Sequence, residues 1–157
     1  MKVVLLQVDK TQDSYLAEGI DIYTKRLSNY TDFRIVTINV PKAVRQRSHN
    51  EQKLEEARLI FTEIAPEDHL VLLDENGKEF NSVDFSKFIA QKQNASIKKL
   101  VFLIGGPFGF DESVYKRANV KLALSQMTFS HQMVRLFFAE QLYRAFTILK
   151  GEKYHHI

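Results

Sequence analysis

Five short apolar runs, each set apart from the next by enough residues for a helix, constrain this chain most tightly. They are Val3–Val8, Phe33–Val40, His69–Leu73, Leu100–Ile104 and Val120–Leu124. The runs are nearly continuous in Val, Ile, Leu and Phe, as expected of strands buried on both faces. Between them, Ser14–Leu27 places Leu16, Ile20, Ile22, Tyr23 and Leu27 near the helical period. "KAVRQRSHNEQK" reads as a polar, basic, mobile loop, and Glu51–Ile64 as a helix ended ahead of Pro66. Ser82 is placed to cap a helix running to about Asn94, with Val83, Phe85, Phe88 and Ile89 inward. Asp111–Ala118 predicts a short helix, and Ser130–Lys150 a long final one closed by Gly151. Strands alternating with helices imply βαβ units. The expected fold is α/β, a mostly parallel sheet with helices on both faces. No repeat, linker or low-complexity stretch interrupts it, so residues 1–157 read as a single domain.

Composition removes several functions. The chain has no cysteine, which excludes disulfides and thiolate metal sites. His131, His155 and His156 lack ligand spacing and carboxylate support, so no metal site is expected. The opening "MKVVLLQVDK" is too short for a signal-peptide core or a membrane span, which points to a cytoplasmic protein without a membrane partner. The formal charge is +3, but residues 115–157 carry +5 of it and residues 1–114 carry −2. Such asymmetry suits a polyanionic partner, and it equally suits a solvated helix face.

In open α/β sheets ligands lie beyond the carboxyl ends of the strands. Three segments qualify: Leu73–Gly77, Gly105–Gly109 and Ser125–Ser130. "GGPFGF" lacks the lysine and hydroxyl of a P-loop and the spacing of a dinucleotide loop. What is left is a turn with minimal side chains and apolar walls. It suits a flat uncharged group such as adenine, but taken alone it suits a tight connection that needs glycine better, since glycines at turns are common. In the junction that follows, Thr128 or Ser130 is a sensible N-cap. Glu140 and Arg144 form an i, i+4 pair.

"LLDENGKEF", "LIGGPFGF" and "LALSQMTFSHQMVRLFFAEQLYRAFTILKGEKYH", in this order and at this length, resemble the SPOUT-class methyltransferases of the RlmH type. That family methylates N3 of a pseudouridine in large-subunit ribosomal RNA with S-adenosylmethionine. The resemblance implies a C-terminal trefoil knot, an exception to the unknotted rule. It also implies a homodimer with ribosomal RNA as partner, in an assembled ribosome or large subunit. Carried over by position, Leu73, Gly105, Gly106, Leu124, Ser125, Gln126, Met127, Thr128 and Phe129 would hold the cofactor. His155 would serve as base or as stabiliser of the imide anion, and Tyr154 would orient or stack on the base. Arg135 would meet developing charge or RNA phosphate, and Arg45 and Arg47 would meet phosphate. A capping or packing role is expected of His131. The chain departs from the pattern at Phe108 and Phe110, at Ser130 where proline is usual, and at His156 where a permanent cation is usual. A SPOUT enzyme acting on transfer RNA or a ribose 2′-hydroxyl is an alternative, as is a non-catalytic ribosome-binding protein.

Overall fold

The computed structural model describes residues 1–156. Its strands are β1 (Lys2–Val8), β2 (Asp32–Ile38), β3 (His69–Glu79), β4 (Lys99–Ile104) and β5 (Val120–Ala123). Its helices are α1 (Ser14–Leu27), α2 (Lys42–Arg45), α3 (His49–Thr62), α4 (Ser82–Asn94), α5 (Glu112–Arg117) and α6 (Met133–Leu149). All four strand pairings are parallel, in the order β2-β1-β4-β3-β5. No helix among the described residues is long and apolar enough to cross a membrane.

The apolar runs are continuous because the sheet is covered twice. Val3 and Leu5 of β1, Val71 of β3 and Leu100, Phe102 and Ile104 of β4 pack under α1, α4 and α6. The residues between them, Val4, Leu6, Leu70, Leu72, Val101 and Leu103, pack with Ala57 and Ile60 of α3 and Val114 of α5. Phe102 and Phe138, both fully buried, meet at 4.7 Å between ring centroids. Each such side chain contributes about 1.5–3 kcal/mol relative to exposure.

Several boundaries differ from the sequence expectation. The basic segment is ordered into α2 and the first turn of α3, whose start is fixed by Ser48 Oγ accepting the Glu51 N–H. Asn81 caps α4 by accepting the Asp84 N–H, and Ser82 is the first helical residue. β3 runs on to Glu79 through a register shift against β5 between Leu73 and Lys78. A Cβ on Gly77 would lie 2.6 Å from the Leu122 nitrogen, so only glycine lets β3 approach β5 there. α6 begins at Met133 and not Ser130, because Ser130 Oγ accepts the Met133 N–H and ends the preceding loop.

Candidate active site

β3 lies between β4 and β5, so the loops after β4 and β5 meet Leu73–Gly77, which lies at the register shift within β3 and not beyond its end as expected. They enclose a cavity of about 540 Å³. Its apolar wall is Leu73, Ile104, Leu122, Leu124, Phe129 and Val134, and its polar rim includes Asp74, Glu75, Ser125, Thr128 and His131. Of the residues expected around a cofactor, Leu73, Gly105, Gly106, Leu124, Ser125, Met127, Thr128 and Phe129 line this space, and Gln126 does not. Met127 is largely exposed, at 77 %.

The smallness of the glycine turn is required from behind. A Cβ on Gly105 would sit 2.8 Å from the Phe110 ring, and one on Gly106 would sit 2.8 Å from Glu56 Oε1. The turn closes through the Gly109 N–H donating to the Gly106 carbonyl at 3.3 Å, with Gly109 at φ +80°. That φ favours glycine. Glu56 is buried, and this pushes its carboxyl up from the usual range against a smaller opposing pull from Arg45. Tyr115 of α5 also lines the cavity, and burial followed by the charge of Asp74 raises its hydroxyl pKa. Across the mouth, Thr128 donates to Glu75 and so ties the loop after β5 to the turn within β3. Ser125 Oγ accepts the Met127 N–H and shapes the same loop.

Arg135 overturns an expectation. It is fully buried, and its guanidinium donates to the carbonyls of Val8 at 2.8 Å, Asp9 at 2.9 Å and His131 at 3.0 Å, and to Thr11 Oγ1 at 3.1 Å. Burial pulls its pKa down to about 10, so it remains a cation at neutral pH. With these donors engaged in the interior, the guanidinium is not on the surface that a phosphate would reach. Instead it anchors the end of β1 to the start of α6. Arg45 is likewise drawn aside, into an ion pair with Asp9. Arg47 is exposed. His131 sits on the cavity wall, and its pKa is lowered first by burial and then by Arg135 and Arg45.

The C-terminal residues lie at the other end of α6. Arg144 pairs with Glu140 at 2.5 Å, and its Nη1 donates to His155 Nδ1 at 3.1 Å. Tyr154 donates to Glu140 Oε1 at 2.9 Å, stacks edge-on against Tyr143 at 4.7 Å and lies under the Arg144 guanidinium. Burial, then Tyr23 and Glu140, raise the Tyr154 hydroxyl pKa. Val134 touches the cavity and Arg144 follows ten residues later, a distance of about 15 Å along a helix. Within one protomer, therefore, Tyr154 and His155 do not share the space lined by the glycine turn. Among the described residues no group of three or more His, Cys, Asp or Glu side chains could hold a metal ion.

The family model described as "Predicted SPOUT methyltransferase" matches residues 1–155. The chain belongs to the SPOUT methyltransferase family. It is 55% identical over 156 residues to a protein of Cytophaga hutchinsonii named "Ribosomal RNA large subunit methyltransferase H", covering 99% of this chain and 100% of that one. A protein of Flavobacterium psychrophilum with the same name is also 55% identical, over 99% of both chains. One of Porphyromonas gingivalis is 45% identical over the same share. The fold is shared with a probable methylase family protein of Haemophilus influenzae at a TM-score of 0.54 and 11% identity, over 99% of this chain and 70% of that one.

Within this SPOUT chain, the sequence pointed to the three loops but not to Glu56, Tyr115 or His49. These sit on α3 and α5, and only the packing of those helices brings them to the glycine turn. Ser48-His49-Asn50-Glu51 does carry the S-x-x-E capping pattern, which would have marked the true start of α3.

Proposed function

We propose that this chain is a homodimeric, S-adenosylmethionine-dependent methyltransferase that modifies N3 of a pseudouridine in large-subunit ribosomal RNA. The observation that carries the reading is the cavity itself. Its volume falls within the range of roughly 300–1,000 Å³ usual for small-molecule sites. Its formally charged lining residues are two carboxylates, Asp74 and Glu75, in a chain of net charge +3. An apolar slot with an acidic rim suits an adenine joined to a cationic sulfonium. The names of the relatives supply the ribosomal RNA substrate.

Leu73, Ile104, Leu122 and Leu124 would hold the adenine face, and the loop from Ser125 to Phe129, Gln126 included, would offer main-chain groups. When bound, the sulfonium supplies a methyl group and leaves as a neutral thioether, so the leaving group needs no acid. The imide nitrogen must give up its proton to a base or to solvent as the new N–C bond forms. A nearby hydrogen-bond donor would stabilise the negative charge this leaves on the ring carbonyls. Arg144 can only donate, so His155 Nδ1 must accept, and a neutral His155 then carries its N–H on Nε2. That makes His155 a donor to an imide oxygen in preference to a base. Tyr154 would stack on or orient the ring. Because neither lines its own chain's cavity, and the residues that hold them, Glu140 and Arg144, lie about 9 and 15 Å along α6 from Val134, a second copy's tail would complete each site. Arg135 would act by positioning the loop through His131. The reading carries with it the family's C-terminal knot, formed by the segment from β5 through α6.

Ribosomes lacking the modification, incubated with the chain and methyl-labelled S-adenosylmethionine, should gain one N3-methylpseudouridine in the large-subunit RNA. Label in transfer RNA or on a ribose hydroxyl, or no label at all, would overturn the proposal.

A further inference from the structure

The loop beside the cavity carries an aromatic pair that the methyl-transfer reading leaves unused. His49, the first residue of α3, stacks on Phe108 of the glycine turn with ring centroids 3.6 Å apart and planes 18° apart. Neither ring belongs to a buried core cluster: Phe108 is 41 % exposed and lines the cavity, and His49 is exposed. Ser48 fixes the turn from which His49 projects. The pair is thus a flat, rigid wall between the cavity and the basic segment.

Charge identifies what such a wall would meet. Lys42 and Arg47 on that segment are exposed, and Lys53 lies one helical turn beyond His49. None of the three is in an ion pair among the described residues, whereas Arg45 is held by Asp9. The segment from Lys42 to Lys53 is therefore net cationic, although Glu55 faces Arg47 and Asp111 faces Lys53, while the charged groups of the cavity lining are carboxylates. A polyanionic backbone is drawn to that segment and kept out of the pocket. A polymer with phosphates on its backbone and flat rings on its side fits both features, because any base can continue an aromatic stack.

We infer that His49 and Phe108 form a stacking platform for an unpaired base of the substrate RNA at the entrance of the cavity, with Lys42, Arg47 and Lys53 holding the flanking phosphates. The inference rests on the proposed RNA substrate and adds the surface that receives it.

The test compares wild type, His49→Ala and His49→Tyr for KM and kcat on unmodified ribosomal substrate, with S-adenosylmethionine affinity measured separately by calorimetry. His49→Ala should raise KM for RNA roughly 5- to 100-fold, the loss expected for one base–aromatic stack. Cofactor affinity should stay within twofold, and His49→Tyr should restore most of the RNA affinity. A KM for His49→Ala within twofold of wild type would overturn the platform. So would a matching loss of cofactor affinity, which would show that the pair only props the glycine turn. A wild-type protein that binds the cofactor yet labels no RNA would strike the underlying reading instead, and the platform with it.

Discussion

Replacing Arg135 by methionine separates a positioning role from a chemical one. The guanidinium makes four hydrogen bonds, three to main-chain carbonyls and one to Thr11, from a site with no solvent exposure. Hydrogen bonds to a charged group are worth about 1.5–3 kcal/mol each, but they do not sum. Removing the cation also relieves the desolvation that holds its pKa down to about 10, and water can re-satisfy part of the exposed carbonyl set. Each of the three carbonyls left without its donor costs about 1–3 kcal/mol, and with partial recovery by water the expected loss for Arg135→Met is about 3–5 kcal/mol. For a chain of this size it corresponds to a fall in Tm of roughly 6–20 °C. Urea denaturation should show the midpoint falling with the m-value unchanged. Arg135→Lys, which keeps the charge but cannot span the four acceptors, should fall between. A methionine variant within about 1 kcal/mol of wild-type stability that nonetheless loses methyl transfer would refute the anchoring role and return Arg135 to the chemistry.

Three further outcomes follow from the geometry. Gly105→Ala drives a methyl to 2.8 Å from the Phe110 ring. It should cost about 1–3 kcal/mol of stability and weaken S-adenosylmethionine binding at least tenfold by calorimetry, whereas unchanged affinity would show that the turn tolerates displacement. Glu56 has its pKa raised by burial, so its ionised form is penalised in the folded chain at neutral pH, and that penalty disappears as pH falls through the raised value to the unfolded value of 4.5. Glu56→Gln should therefore be more stable than wild type at pH 7.5 and equal to it below pH 4.5 in urea melts; an advantage that persists in acid would contradict burial as the cause. Deletion of residues 153–157 should abolish methyl transfer while leaving the fold and cofactor affinity nearly intact, and full activity of the truncated chain would remove the tail from the mechanism.

How much of this was legible before any coordinates can be read residue by residue. The strands were visible because burial on both faces makes Val3–Val8 and Leu100–Ile104 continuous apolar runs. The site's address followed from the rule that ligands lie beyond strand ends. The strand order was not visible, since nothing local says that β1 sits between β2 and β4. The resemblance implies a charge-stabilising or phosphate-binding role for Arg135, and nothing local in the sequence reveals that its side chain is buried. Its burial depends on the end of β1, about 125 residues away in the chain, which no local pattern encodes. The basic segment was misjudged because its polar composition hides α2. The His49–Phe108 stack joins residues far apart in sequence and carries no periodic signal. The tail's separation from the cavity follows only from the helical rise along α6.

The central claim is that the irregular stretch within β3 and the loops after β4 and β5 clasp the adenosine of a sulfonium donor. A crystal structure of the dimer with S-adenosylmethionine would test it most directly. The adenine should lie among Leu73, Gly105, Gly106 and Leu124, with the methyl directed toward the Tyr154 and His155 of a second copy. An adenosine bound elsewhere, or those loops filled by their own side chains at saturating donor, would contradict the account.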